Sequence, residues 1–215
     1  MFLTIENLFN EDDLQQIKYI IDECGEWEDG KTSAGIAASQ VKVNEQLKHT
    51  TAYHAVCSAV KNALDNNYLF KAFALPEEVH SFIVSKTTVG GRYGEHVDNA
   101  FINGKRTDLS FTIFLNNPRD YEGGILSSDI FDGVKLNAGD AVVYPSSTLH
   151  EVTEVTSGTR LVCCGWVTSR VKDPLQRGLL FDLNAAKMSL LAKQGKTEEF
   201  DLVCKAHNNL LRMWS

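Results

Sequence analysis

The sequence predicts a mainly β fold, a double-stranded β-helix (jelly roll) core with helices at both ends, and two observations carry that expectation. From His80 to Thr168, short runs of β-branched and aromatic residues are broken by turn signals at intervals of roughly ten residues, the spacing of an antiparallel sandwich or barrel. On either side of this stretch the apolar residues recur at helical spacing. The 215 residues contain no internal repeat, low-complexity tract or Pro/Gly/Ser linker, so one domain is expected. Its parts read as an N-terminal helical segment, 1–79, packing on the barrel, the jelly-roll core, 80–170, and a C-terminal helical extension, 171–215.

Each element has its own local reason. Asn10 followed by Glu11, Asp12 and Asp13 is a helix start, and Leu14, Ile17, Ile21 and Cys24 continue one apolar face until Gly25. A second helix is expected over 51–66, with Val56, Val60, Ala63 and Leu64 on one face and Asn66-Asn67 as its stop. Strands are expected near 80–89, 109–116, 124–130, 134–136, 141–145, 150–156 and 160–169. Their punctuation is Gly90-Gly91, Asn116-Asn117-Pro118, Gly123-Gly124, Asp132-Gly133, the run Asn137 to Asp140, and Ser157-Gly158. About eight such strands suit a jelly roll. After Pro174 the helical period returns, and Phe200, Val203, Cys204, His207, Leu210, Leu211 and Trp214 form a stripe expected to dock on the barrel.

Composition excludes several function classes. A formal net charge of -7 disfavours a protein whose work is to neutralise phosphates, so no nucleic-acid partner is expected. No apolar run reaches the roughly 18–20 residues of a membrane span, and the start MFLTIENLFNEDD lacks the basic and apolar regions of a secretory signal. Five cysteines, an odd number without CxxC spacing, read as reduced thiols, with neither a disulfide framework nor a zinc site. A cytoplasmic protein is the expectation.

The chemistry is carried by four residues. If Tyr93 to Asn99 is extended, a period of two turns His96 and Asp98 to the same side. His150 lies 52 residues later, at the end of the strand-like Ala141 to Pro145, where a jelly roll can bring a distant strand end beside the first pair. Two imidazoles and one carboxylate on one face form the facial triad of non-haem Fe(II) oxygenases, with open positions for substrate atoms and dioxygen. Arg160 opens the apolar strand Leu161 to Trp166. A guanidinium turned into a barrel is costly without an anion, and its planar fork fits a carboxylate, so a diacid co-substrate is expected. Alternation adds two rows that could line the pocket: Ser110, Thr112 and Phe114, and, on the face of Arg160, Val162, Cys164 and Trp166. Cys163 should face the opposite layer.

The order His-x-Asp, His, then Arg ten residues on resembles the Fe(II)- and 2-oxoglutarate-dependent dioxygenases. WEDGKTSAGIAASQVKVNEQL (27–47), YGEHVDNA (93–100), LSFTIFLNNPRDYEGGIL (109–126), VKLNAGDAVVYPSSTLHEVTEVTSGTR (134–160), LLFDL (179–183) and NLLRMW (209–214) together are similar to the PKHD-type hydroxylases, named for prolyl and lysyl hydroxylase domains. The resemblance implies His96, Asp98 and His150 as iron ligands and catalytic residues. It implies Arg160 as the partner of the distal carboxylate of 2-oxoglutarate, with Thr112, Phe114, Cys164 and Trp166 the accompanying cofactor-binding candidates. It also implies ascorbate as reductant and hydroxylation of an unactivated C–H bond, of a peptidyl proline or lysine or of a small molecule, with release of succinate and carbon dioxide. Two departures are visible. Thr87 stands where many relatives have a tyrosine nine residues before the first histidine, and Gly123-Gly124-Ile125-Leu126 replaces a common Gly-Gly-Glu-Leu.

Two other readings share the architecture: a cupin-like metalloenzyme that needs no keto acid, and a non-catalytic binding module. A cupin would place more histidines near the first, and none lies between His96 and His150. A module without chemistry has no physical need for an open metal site beside an anion clamp. His49, His54, His80 and His207 are expected on the surface or on helix faces, and Glu95 and Glu151 should alternate away from the site. The segment Asp29 to Gln40, rich in Gly, Ala and Ser, is the expected lid. The prime substrate and the oligomeric state are left open by the sequence.

Overall fold

Alternation along three central strands organises the molecule. In the computed structural model, which describes residues 1–215 except the side chains of Ile36 and Ala37, a seven-stranded antiparallel sheet runs in the order Leu3–Ile5, Ala141–Pro145, Leu109–Phe114, Arg160–Ser169, Pro76–Thr87, Glu45–Leu47, Trp27–Asp29. A five-stranded sheet runs Phe131–Val134, Leu126–Ser128, His150–Val152, Arg92–His96, Lys42–Val43. Phe114, Val142, Tyr144 and Val162 of the large sheet pack with Leu126, Phe131 and Val134 of the small one. The residues between them in sequence, Phe111, Ile113, Val143 and Cys163, face the other way into a helical layer. Strand Leu109–Phe114 is therefore buried at every position, which is why LSFTIF reads as a continuous apolar run apart from two hydroxyls.

The helical layer follows from the expected caps. Asn10 and Asp13 form a reciprocal capping box at the start of Glu11–Cys24, which buries Leu14, Ile17 and Ile21; such a cap contributes about 1 kcal/mol. Thr51–Asn66 buries Tyr53, Val56, Cys57, Val60 and Leu64 against the sheet. Asn67 ends that helix and caps a further short one, Tyr68–Ala74, accepting from the Phe70 amide. The stop was legible, the restart was not.

Several expectations are corrected. The segment 1–79, read as helical before the strands, also supplies Leu3–Ile5, Trp27–Asp29, Lys42–Val43 and Glu45–Leu47 to the two sheets. Runs of two or three residues are too short to display a period, and pairing with a longer neighbour is what makes them strands. The first long strand begins at Pro76, as partner of Ser169, rather than at His80. Asp132-Gly133, expected as a turn, lies within Phe131–Val134, and the strand expected at 134–136 is this earlier one. The C-terminal stripe also docks differently: Glu198–Trp214 packs on helix Pro174–Gln194, which in turn packs on Tyr68–Ala74, with Phe181 edge-on to Phe73 at 5.4 Å. Among the described residues, no helix is long and apolar enough to cross a membrane.

Candidate active site

The small sheet brings two histidines face to face. His96 ends strand Arg92–His96 and is the direct cross-strand partner of His150, their ring centroids 4.2 Å apart. Just beyond the strand, Val97 points to solvent and Asp98 turns back, its Oδ1 lying 3.9 Å from the Nε2 of each histidine. The three ligand atoms all fall within 4.8 Å of one another. At 3.9 Å the carboxylate oxygen is beyond hydrogen-bond length from either ring, so the three groups gather without satisfying each other. A shared cation accounts for that, and two nitrogens with one oxygen suit Fe(II).

Each ligand atom is aimed by the group behind it. The Nδ1 of His96 bonds to the Gly94 carbonyl at 2.8 Å, and that of His150 to the Thr148 carbonyl at 2.9 Å. A carbonyl only accepts, so both Nδ1 atoms carry the proton and both Nε2 lone pairs face the centre. Burial, reinforced by the neighbouring His150, pushes the His96 pKa down to about 4, which keeps the ring neutral and able to ligate near pH 7. The Asp98 Oδ2 accepts from the Ser110 hydroxyl at 2.5 Å and from the Trp166 indole N–H at 3.0 Å, leaving Oδ1 as the atom presented inward. Ser110→Ala or Trp166→Phe should therefore lower metal affinity roughly 10–100-fold while leaving the fold intact, measurable by metal titration of the purified variants.

A bulge adds an aromatic wall. The register slips between the pairs Tyr93↔Val152 and His96↔His150, so one extra residue is inserted and Tyr93 joins His96 on the inner face. Their rings stack at 3.6 Å between centroids, and Tyr144 meets His150 edge-on at 5.2 Å. Glu95 points out to solvent, as alternation predicts.

Arg160 lines the same cleft. The residue is 4% exposed, its guanidinium lies over the Phe114 ring at 5.6 Å, and its buried Nε meets no hydrogen-bond partner among the described residues. Among the described residues no carboxylate comes within ion-pair distance of it. Burial lowers its pKa, though an arginine remains charged. The Tyr121 hydroxyl is likewise buried and lies beside the guanidinium, and burial raises its pKa against the lowering effect of that charge. An unpaired guanidinium in a cleft that also gathers three ligand atoms is a site waiting for an anion.

The other sequence-predicted residues divide. Thr112 and Cys164 line the cleft, as do Val162 and Trp166. Burial raises the Cys164 thiol to about 11, so it is a neutral wall rather than a nucleophile. Trp166 reaches Asp98 rather than Arg160. Phe114 does not line the cleft but supports Arg160 from beneath, within the inter-sheet core. Ser33, Ala34 and Gly35 of the expected lid segment line the mouth. His80, expected on the surface or a helix face, is instead buried on a strand, with its ring nitrogens bonded to Ser81 and to the Arg106 carbonyl; His207 lies on a helix face, as expected, and is buried there. Neither joins the cleft.

Gly124 is a residue that sequence reading treated only as turn punctuation. It sits at φ +60°, and a Cβ there would fall 2.9 Å from Arg160 Cδ and 3.0 Å from the Tyr121 ring. Gly124→Ala should shift the guanidinium and weaken the binding of an anion held by it, by up to roughly 100-fold for a displacement of about 1 Å. The left-handed backbone adds a stability loss of about 1–2 kcal/mol. A binding titration beside a thermal melt would separate the two effects.

Comparison with known proteins assigns the class and then the family. Residues 82–168 match the 2OG-Fe(II) oxygenase superfamily. The chain is similar to solved structures of a Pseudomonas putida prolyl-4-hydroxylase (20% identity, TM-score 0.52, 78% of this chain and 92% of that one) and of a viral collagen prolyl hydroxylase from Paramecium bursaria Chlorella virus-1, in complex with 2OG (16%, TM-score 0.57, 78% and 96%). At that identity they establish the fold. Over its full length the chain is 49% identical to a PKHD-type hydroxylase of Acaryochloris marina, with all of each chain covered, and it belongs to the PKHD-type hydroxylases. It is thus a 2-oxoglutarate-dependent dioxygenase, a hydroxylase that uses Fe(II), 2-oxoglutarate and dioxygen. The cupin-like and non-catalytic readings are not favoured.

Proposed function

We propose that His96, Asp98 and His150 hold the iron, that Arg160 binds the distal carboxylate of 2-oxoglutarate, and that the prime substrate is a peptidyl proline or lysine. The observation that carries the assignment is the pairing of two unmet needs in one cleft: three converging ligand atoms, and a buried guanidinium that no carboxylate of the described residues reaches. A five-carbon diacid whose keto acid end meets the triad answers both. Bound at the triad, iron supplies dioxygen activation coupled to decarboxylation of 2-oxoglutarate to succinate and carbon dioxide.

The chain's own groups provide position and a dry interior. The two histidine Nδ1 bonds fix the ring faces, and Ser110 and Trp166 hold one carboxylate oxygen of Asp98 away from the centre. Val162, Cys164 and Leu126 line the cleft together with Arg160, and an apolar wall of this kind would strengthen a guanidinium–carboxylate contact. The family name and the prolyl hydroxylase neighbours support a peptidyl substrate. Ascorbate is the reductant of this reading and the cytoplasm its compartment.

The test is an aerobic assay with Fe(II), 2-oxoglutarate, ascorbate and proline- or lysine-containing peptides. Equal amounts of succinate and hydroxylated peptide are expected. Succinate without any hydroxylated peptide, alongside turnover on a small molecule, would overturn the peptidyl assignment.

A further inference from the structure

Lys42 is a second buried cation in the cleft, and the reaction described above does not account for it. It lies on the edge strand Lys42–Val43, opposite Tyr93, is 4% exposed, and lines the same cleft as His96, Asp98 and Arg160. Its Nζ donates to the Ser33 hydroxyl at 3.0 Å and stands 5.1 Å from the Tyr93 ring centroid. Both neighbours are neutral. Among the described residues no carboxylate reaches ion-pair distance of Lys42, whereas Lys48, Lys61, Lys86 and Lys105 each have one. Lysine is almost never fully buried unless paired, and burial accordingly pulls the Lys42 pKa down.

Charge matching in the loaded cleft leaves this group over. Arg92, at the rim, is paired with Glu154 at 3.4 Å. A ferrous ion and the 2-oxoglutarate dianion cancel, as do Asp98 and Arg160. We infer that the Lys42 ammonium receives a carboxylate of the prime substrate. The substrate then carries an anion close to the carbon that is hydroxylated, because the Lys42 ammonium and the His96 ring both lie against the ring of Tyr93. Ser33 belongs to the segment at the mouth, so the same carboxylate would meet that segment as well as the small sheet. This inference rests on the dioxygenase reading of the site and extends it to the choice of substrate. An acidic side chain of a peptide and the α-carboxylate of a free amino acid both supply the required chemistry.

Equilibrium binding to the full chain, loaded with Mn(II) and 2-oxoglutarate so that no turnover occurs, distinguishes these sources. One probe pair is a pool of end-blocked peptides centred on proline or lysine with a flanking Glu, against the same pool with Gln. The other is free L-proline and L-lysine against their amides. In one pair the carboxylate member should bind the parent about tenfold more tightly or better, as a charge-assisted contact provides. Lys42→Met should erase that preference and Lys42→Arg retain most of it, with 2-oxoglutarate affinity unchanged in both. Preference in the first pair assigns an acidic peptide, and in the second a free amino acid. The inference is overturned by absence of preference in both pairs, by a preference that survives Lys42→Met, or by weakened 2-oxoglutarate binding in that variant, which would give Lys42 to the co-substrate. Failure of the metal-loaded parent to bind 2-oxoglutarate at all would instead refute the proposed function of the site, and this inference with it.

Discussion

His150→Ala is expected to abolish turnover and release the iron while the protein stays folded. The ring contributes one of three converging ligand atoms, and loss of a ligand costs more than the roughly 10–100-fold in affinity that loss of an outer hydrogen-bond partner does. The structural cost is small by comparison. His150 gives up one bond to the Thr148 carbonyl, worth about 1 kcal/mol against a typical domain stability of about 5–15 kcal/mol. Its strand is still held by its pairing with Leu126–Ser128. Metal analysis, circular dichroism and succinate release on one preparation would check the three parts together. Full activity with one bound iron would remove the triad from the account.

Arg160→Ala is expected to act on the co-substrate rather than on the metal. Among the described residues no carboxylate comes within ion-pair distance of the buried guanidinium, so under the proposed function its removal would leave the distal carboxylate of 2-oxoglutarate without a charged partner. Truncating one partner of such a pair costs about 2–5 kcal/mol, which corresponds to roughly 30- to 4,000-fold in KM. Arg160→Lys keeps the charge, loses the fork and should fall between. Iron content should be unchanged in both, because Arg160 is not among the three gathered ligand groups.

What the sequence made legible and what it hid follow one physical line. Alternation along regular strands placed Ser110, Thr112, Val162, Cys164 and Trp166 toward the interior and sent Cys163 to the helical layer, because Leu109–Phe114 and the part of Arg160–Ser169 paired with it keep their register from Val162 to Val167. Alternation gave no access to Tyr93, whose ring reaches His96 only because a bulge adds one residue between them. Lys42 was hidden for a different reason. A two-residue strand carries no period, and its edge position exists only through pairing with Tyr93 and Arg92. Gly124 was visible as a turn residue, yet its contact with Arg160 joins two positions 36 apart in sequence that only the folded chain brings together. Phe114 was placed on the correct face of its strand, yet it lies beneath Arg160 within the inter-sheet core instead of lining the cleft, since alternation gives a side and not a depth.

The central claim, that the cleft is built for the distal carboxylate of 2-oxoglutarate, is tested most directly by changing ligand and residue together. Binding of 2-oxoglutarate and of 2-oxopentanoate, which has a methyl group in place of that carboxylate, would be measured on the metal-loaded parent and on Arg160→Ala. The parent should prefer the diacid by roughly 30-fold or more, and the variant should show almost no preference, the difference being the coupling between guanidinium and carboxylate. A preference for 2-oxoglutarate that survives undiminished in Arg160→Ala would contradict the account.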